Sequence, residues 1–128
     1  MSSPVRQEPP EAQARVAVID ADRRVQQSIA EVLRVAGVDV IGTAGDVRSA
    51  MELVETGHPS VLLVDPRLPD IAAGRALLSG ITLGWPGVRV VLMGWTDESD
   101  GMPAKAAFVS KSAQPEEFVA ATVAACNC

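Results

Sequence analysis

The 128-residue chain has little cysteine, fewer basic than acidic residues and no long hydrophobic run. Its two cysteines, Cys126 and Cys128, are separated by one residue at the C-terminus, where they cannot form a disulfide framework and supply too few ligands for most metal sites. Eleven Lys and Arg residues against 16 Asp and Glu residues give a net charge of −5. Direct nucleic-acid binding is therefore not expected, because contacts with phosphate groups need a basic surface.

No apolar run approaches the roughly 18 residues that a membrane-spanning helix needs. Residues 1–14 contain three prolines and lack the apolar segment of a secretory signal, so we expect a flexible N-terminal arm there. Hydrophobic residues make up 48% of the chain and charged residues 21%, as in an ordinary globular domain. These features predict a soluble, cytoplasmic protein without membrane contacts, with one domain over residues 15–125 and a short tail over 126–128.

Short apolar runs alternate with amphipathic stretches from residue 15 onward, a pattern typical of successive βα units. Two of the runs, residues 16–19 and 61–64, are continuously apolar, as expected of strands buried on both faces of a parallel sheet. Asp22 and Asp46 stand where helix N-caps are expected. The pattern predicts strands at 16–19, 39–43, 61–64, 88–93 and 106–109, and helices at 23–36, 47–55, 72–83 and from 115 onward.

Five such units predict an α/β fold with an open, doubly wound, five-stranded parallel sheet, because a closed barrel needs about 250 residues. The segment 94–103 contains two glycines and a proline where the alternation requires a helix, so we expect a shortened fourth helix. The last predicted helix begins near Pro115. The apolar positions of the second helix are Val47, Met51 and Leu53, and those of the last helix are Phe118, Val119, Thr122 and Val123.

Three charged residues follow predicted strands: Asp20 the first, Asp65 the third and Lys111 the fifth. In an open parallel sheet these positions lie at the C-terminal edge, where binding sites form. Two carboxylates and an ammonium at one edge predict a site for a divalent cation and a phosphoryl group. Taken singly, each is equally well explained as a solvated loop charge, and only their joint placement favours a site.

The runs that contain these residues are RVAVIDAD, VLLVDPRLPD, AAFVSKS and KSAQPEEF. In this order and spacing they resemble the receiver domain of bacterial two-component response regulators, a chemotaxis-regulator-like family, and most of all its nitrate-response (LuxR-type) subfamily. The resemblance implies strand order 2-1-3-4-5 and a signalling domain rather than an enzyme. It makes Asp65 the phosphoacceptor, Lys111 the ion-pair partner of the phosphoryl group, Asp20 and Asp65 ligands of Mg²⁺, and Phe108 the aromatic switch residue. The implied partners are a histidine kinase or another signalling protein, and a second copy of the chain.

Three positions, 21, 94 and 95, depart from the pattern of that family, and Arg67 stands at a rim position that often tunes phosphoryl chemistry there. Ala21 replaces a second acidic residue that is a direct metal ligand, so we expect Mg²⁺ to bind weakly or not at all. Gly94 replaces a Ser or Thr whose hydroxyl binds the phosphoryl group, so it cannot report phosphorylation in that way. Trp95 is bulky where the family has a small residue, and either covers the pocket or packs over a loop. Arg67 is either a solvated side chain or a substitute for part of the missing metal charge.

These departures favour one function and leave two others open. The favoured function is an atypical receiver that works through protein–protein signalling, with Asp65 at the phosphoacceptor position but impaired Mg²⁺-dependent phosphorylation and switching. The second is a functional receiver that accepts phosphate at Asp65 from a histidine kinase. The third is a small-molecule-binding module or hydrolase on the same fold. Against this third reading, the chain has no glycine-rich phosphate loop, nucleophile elbow or histidine-based acid–base pair.

Overall fold

The computed structural model of the protein describes residues 14–103 and 106–126. Strands and helices alternate as predicted except between the last two strands, and their ends lie within two residues of the predicted ones. The elements are β1 (Arg15–Ile19), α1 (Arg23–Val35), β2 (Asp39–Ala44), α2 (Val47–Gly57), β3 (Val61–Val64), α3 (Ile71–Gly84), β4 (Arg89–Gly94), β5 (Ala107–Ser110) and α4 (Pro115–Cys126). Residues 1–13 of the expected arm and Cys128 of the expected tail lie outside the described residues, and Cys126 is the last residue of α4.

The five strands form one parallel sheet in the order β2-β1-β3-β4-β5, which confirms the predicted open, doubly wound topology. Strands β1 and β3 are neighbours, and Ile19 pairs with Val64 at their C-terminal ends. Asp20 and Asp65 directly follow these two residues. Since the strands are parallel and in register, both aspartates leave the sheet at the same edge.

Hydrophobic side chains cover both faces of the sheet. In β3, Leu62 and Val64 face the core built with α2 and α3, whereas Val61 and Leu63 face the core built with α1 and α4. All four are fully buried, which explains why this strand reads as an unbroken apolar run. The sheet is therefore a rigid central layer that holds the loops at its C-terminal edge in place.

Three helices begin with an aspartate whose side chain accepts backbone N–H groups. Asp22 caps α1 and Asp46 caps α2, as predicted, and Asp70 caps α3 in the same way. Such caps contribute about 1 kcal/mol each. Because the carboxylate of Asp22 is used at the start of α1, it does not replace the acidic side chain that is missing at position 21.

The predicted apolar faces of two helices need correction. In α2 the fully buried residues are Ala50 and Val54, and the predicted positions 47, 51 and 53 are only partly buried against the core. In α4, Phe118 and Thr122 are buried as predicted, but Val123 is 53% exposed. The spacing of apolar residues therefore located both faces but not the residues that are most deeply buried.

The segment between β4 and β5 is an irregular loop. In its described part, residues 95–103 and 106, the chain forms turns and bends without a helix, so the expected shortened fourth helix is corrected to none there. Asp97 accepts a hydrogen bond from the Ser99 amide at 2.8 Å, and Gly101 has a φ of 78°. Both features are typical of turns and incompatible with a continuous helix. In the described part of the chain, none of the helices has the length and hydropathy needed to cross a membrane.

Candidate functional site

Asp20, Asp65 and Lys111 meet at the C-terminal edge of the sheet. The Nζ atom of Lys111 lies 2.6 Å from Oδ2 of Asp20 and 2.5 Å from Oδ2 of Asp65. The three side chains are 2%, 11% and 5% exposed for Asp20, Asp65 and Lys111. The structure thus brings together the three residues that the sequence places directly after strands. We name the pocket that they form the acidic pocket.

The backbone places each of these residues one step beyond its strand. The amide of Asp20 donates to the Ala44 carbonyl and that of Asp65 to the Ile19 carbonyl, both at 3.0 Å. The amide of Lys111 donates to the Gly94 carbonyl at 2.9 Å. These bonds continue the pattern of the parallel sheet to its edge, so strand pairing itself sets the spacing of the three side chains.

The carboxylates of Asp20 and Asp65 each make two contacts, one through each oxygen. Oδ1 of Asp20 accepts the Asp22 amide at 2.8 Å, and Oδ1 of Asp65 accepts the Arg67 amide at 3.0 Å. Each carboxylate therefore uses one oxygen for a backbone N–H and the other for the ammonium of Lys111. The side chain of Gln26 also braces this turn, since its Nε2 donates to the backbone carbonyls of Asp20 and Ala44.

The ammonium of Lys111 keeps its charge in this buried position. Burial alone would lower the pKa of Lys111, but hydrogen bonds and charge attraction from Asp20 and Asp65 outweigh it and raise the pKa above the ordinary value of 10.5. Two carboxylates and one ammonium leave a net charge of −1 in the acidic pocket. The ammonium thus balances half of the carboxylate charge in this pocket, and it is shared between Asp20 and Asp65.

A magnesium ion fits this set of donors poorly. Within the described residues, no group of three or more His, Cys, Asp or Glu side chains could hold a metal ion. Asp20 and Asp65 are the available carboxylates, and Lys111 already occupies the oxygens that face the pocket. Mg²⁺ binds through one or two carboxylates and completes its octahedral shell with water, so here it would have to displace the ammonium of Lys111 and would gain no ligand from Ala21.

Gly94 and Phe108 lie close together behind the acidic pocket. Gly94 is buried at the end of β4, and a Cβ atom built on it would lie 3.0 Å from the Thr96 carbonyl oxygen and 3.8 Å from Cε1 of Phe108. A side chain at position 94 would therefore require the Thr96 carbonyl to move by a few tenths of an ångström. Phe108 is partly buried and packs against the core on the α2 and α3 side.

Trp95 and Arg67 stand at the rim of the pocket. The Trp95 ring is 68% exposed, with its centroid 5.9 Å from Nζ of Lys111, so it does not fill the pocket. The guanidinium of Arg67 forms a salt bridge with Glu98, whose same oxygen accepts a hydrogen bond from the Thr96 hydroxyl at 3.1 Å. The two predicted roles of Arg67, a solvated side chain or a substitute for metal charge, did not include this contact. The sequence did not indicate which loop residue would lie near its guanidinium.

Comparison with known proteins identifies the family. A family model described as the response regulator receiver domain matches residues 16–122. The curated protein PdtaR of Mycobacterium tuberculosis, a transcriptional regulatory protein, is 33% identical over 55 residues, which cover 43% of this chain and only 27% of that protein. The receiver domain of the putative response regulator NarL from M. tuberculosis is similar in structure, with a TM-score of 0.75, 28% identity, and coverage of 90% of this chain and 97% of that one. A putative response regulator from Chloroflexus aurantiacus shares the fold, with a TM-score of 0.77, 23% identity, and coverage of 91% and 99%. The chain belongs to the response regulator receiver domain family.

Proposed function

We propose that this receiver domain is an atypical one, which signals through protein contacts and in which Asp65 occupies the phosphoacceptor position but accepts phosphate inefficiently. The observation that carries the proposal is that the acidic pocket has a methyl group at Ala21 and no side chain at Gly94, while the carboxylate of Asp22 is used to cap α1. The ammonium of Lys111 contacts Asp20 and Asp65 at 2.6 and 2.5 Å, so it already offsets one of the two carboxylate charges that would attract a metal ion.

The donor set supports weak metal binding. To coordinate both carboxylates, a Mg²⁺ ion would have to displace the ammonium of Lys111 from two charge-assisted contacts, each worth about 1.5–3 kcal/mol. The methyl group of Ala21 offers nothing in exchange, and the carboxylate of Asp22 is committed to the start of α1. We therefore expect Mg²⁺ to be at most a weakly bound cofactor of this domain.

The surroundings of Gly94 support altered switching. Without a hydroxyl at this position, a phosphoryl group on Asp65 has no side chain to draw inward, and the Thr96 carbonyl oxygen lies only 3.0 Å from where a Cβ atom at position 94 would be. Phe108 at the proposed switch position is then not coupled to Asp65 by that route. The partners that this function implies are a histidine kinase or another signalling protein in the cytoplasm, with a second copy of the chain as a further candidate.

Mass spectrometry of the intact protein tests the proposal. The wild type, Ala21→Asp and Asp65→Asn are each incubated with acetyl phosphate, with and without Mg²⁺. In the reaction measured, an oxygen of Asp65 bonds to phosphorus while the bond from phosphorus to acetate breaks. We expect slow, incomplete addition of one phosphoryl group to the wild type, a gain in Ala21→Asp, and none in Asp65→Asn. Rapid, stoichiometric, Mg²⁺-dependent addition to the wild type would show that the proposal is wrong.

A functional receiver is the second candidate, because the contact between Lys111 and Asp65 has the geometry that a phosphoacceptor site needs. This function requires that Asp65→Asn abolishes both the mass increase and signalling. If Asp65→Asn acquired the same mass increase as the wild type, Asp65 would not be the acceptor and both candidates would fail.

A further inference from the structure

A cavity of about 350 Å³ opens between α1 and α4, beside the acidic pocket. Its apolar wall consists of side chains from both helices: Val25, Ile29, Val32, Pro115 and Phe118. Its volume falls at the lower end of the roughly 300–1,000 Å³ typical of small-molecule sites, and such sites are mostly apolar with a few placed polar groups. We name this space the α1–α4 cavity.

The charged groups of the α1–α4 cavity are all of one sign. Arg24 and Lys111 line it, and no carboxylate is among the described residues of its wall. This is unexpected in a chain with 16 acidic and 11 basic residues. Lys111 is engaged with its two aspartates, but within residues 14–103 and 106–126 no ion pair is formed by the Arg24 guanidinium. The cavity thus presents one uncompensated cation beside an apolar surface.

Trp95 forms another part of the wall and is 68% exposed, although it is the largest side chain there. An exposed indole beside an apolar cavity gains favourable contact area when a flat, apolar group covers it. Trp95 directly follows the buried Gly94 at the end of β4.

We propose that the α1–α4 cavity binds a small organic anion, an aromatic carboxylate, with its ring between Trp95 and the apolar wall and its carboxylate toward Arg24. The apolar wall supplies the contact area for the ring. Arg24, with no carboxylate among the described residues of the wall, supplies the charge complementarity. The inference goes beyond the proposed function and does not depend on phosphorylation of Asp65.

The test is a titration of the full chain followed by ¹H–¹⁵N NMR. The probes are indole-3-acetate and its uncharged counterpart, indole-3-acetamide. We expect saturable shifts of the Trp95 indole N–H and of the Ser28 and Val32 amides, with a Kd of about 1 mM, as is usual for a probe of this size. The acid should bind about threefold more tightly than the amide, which is the factor expected for one partly exposed ion pair.

Three variants locate the interaction. Arg24→Gln should abolish the preference for the acid while retaining the apolar contribution, and Trp95→Ala should weaken both probes. Arg75→Gln, which changes an exposed arginine on α3 across the sheet, is the matched control and should bind like the wild type. Circular dichroism confirms that each variant is folded.

Equal binding of acid and amide by the wild type, or a preference that survives in Arg24→Gln, would overturn the proposed ligand class. Absence of shifts around Trp95 up to the solubility limit of the probes would overturn the ligand site itself and leave the groove as a surface for protein contacts. The same titration with Asp65→Asn separates this proposal from the proposed function. That variant should still bind the acid, whatever the mass measurements show about phosphorylation.

Discussion

Replacing Lys111 by methionine tests the central feature of the acidic pocket. The change keeps the length of the side chain but removes the ammonium between Asp20 and Asp65, which are 2% and 11% exposed in their side chains. Removing one partner of a buried ion pair costs about 3–5 kcal/mol. We expect the lower end, about 3 kcal/mol at pH 7, because each carboxylate keeps one backbone N–H donor.

The loss should depend on pH in a direction that the geometry determines. Without the ammonium, two neighbouring buried carboxylates raise the pKa of at least one of them. A carboxyl group with a raised pKa stabilises the fold at low pH, and this contribution is lost as the pH rises through the folded-state pKa. The deficit of Lys111→Met should therefore shrink between pH 7 and pH 5. In the wild type the pKa of Lys111 is raised, so its contribution is complete at neutral pH and is lost only in alkaline solution, above about 10.4.

Urea unfolding followed by circular dichroism measures the effect. A loss of 3 kcal/mol lowers the midpoint by about 2 M for a domain of this size. Arg75→Met on the exposed face of α3 is the matched control and should leave the midpoint unchanged. A midpoint for Lys111→Met equal to that of the wild type at pH 7, or a deficit of the same size at pH 5 and pH 7, would refute the reasoning.

Three further changes probe the surroundings of the pocket. Ala21→Asp should make the melting temperature rise on addition of Mg²⁺, whereas the wild type should respond little, because the variant adds the missing carboxylate. Gly74→Ala should destabilise the domain by about 3 kcal/mol or more in urea unfolding, because the new Cβ atom would lie 1.7 Å from the Pro66 carbonyl oxygen and backbone must move. A double-mutant cycle of Arg67→Gln and Glu98→Gln should give a coupling of about 0.5–1 kcal/mol, because the arginine is 56% exposed; a coupling of several kcal/mol would contradict that reading.

The sequence was a reliable guide wherever the backbone alone sets the position of a side chain. Asp20, Asp65 and Lys111 each follow an apolar strand, and parallel pairing brings the ends of neighbouring strands to one edge. Their convergence therefore needs no knowledge of side-chain packing. The caps at Asp22 and Asp46 were predictable for the same reason, since an N-cap depends on its own helix alone.

Contacts between loops could not be predicted in this way. The salt bridge of Arg67 with Glu98 joins two loops that are 31 residues apart in the chain. Its formation depends on the irregular course of the β4–β5 segment. The glycines and proline of that segment indicated that a long helix is absent, but they did not indicate the path of the backbone. The exposure of Val123 has a similar cause: hydrophobic spacing places it near the buried face of α4, but the tilt of α4 against the sheet decides which residues are covered.

The position of Lys111 follows from strand pairing, and its side chain holds Asp20 and Asp65 together although positions 21 and 94 depart from the family pattern. A receiver that lost a metal ligand and retained an exposed pair of carboxylates would keep two like charges close together at a cost in stability. Here the ammonium lies between them and is buried with them, so it offsets one of the two negative charges and leaves the acidic pocket with a net charge of −1. Arg24, which forms no ion pair within the described residues, lies at the α1–α4 cavity, which Lys111 also lines. The two neighbouring sites therefore differ in the sign of their charge, since the acidic pocket retains one negative charge and the cavity presents the guanidinium of Arg24.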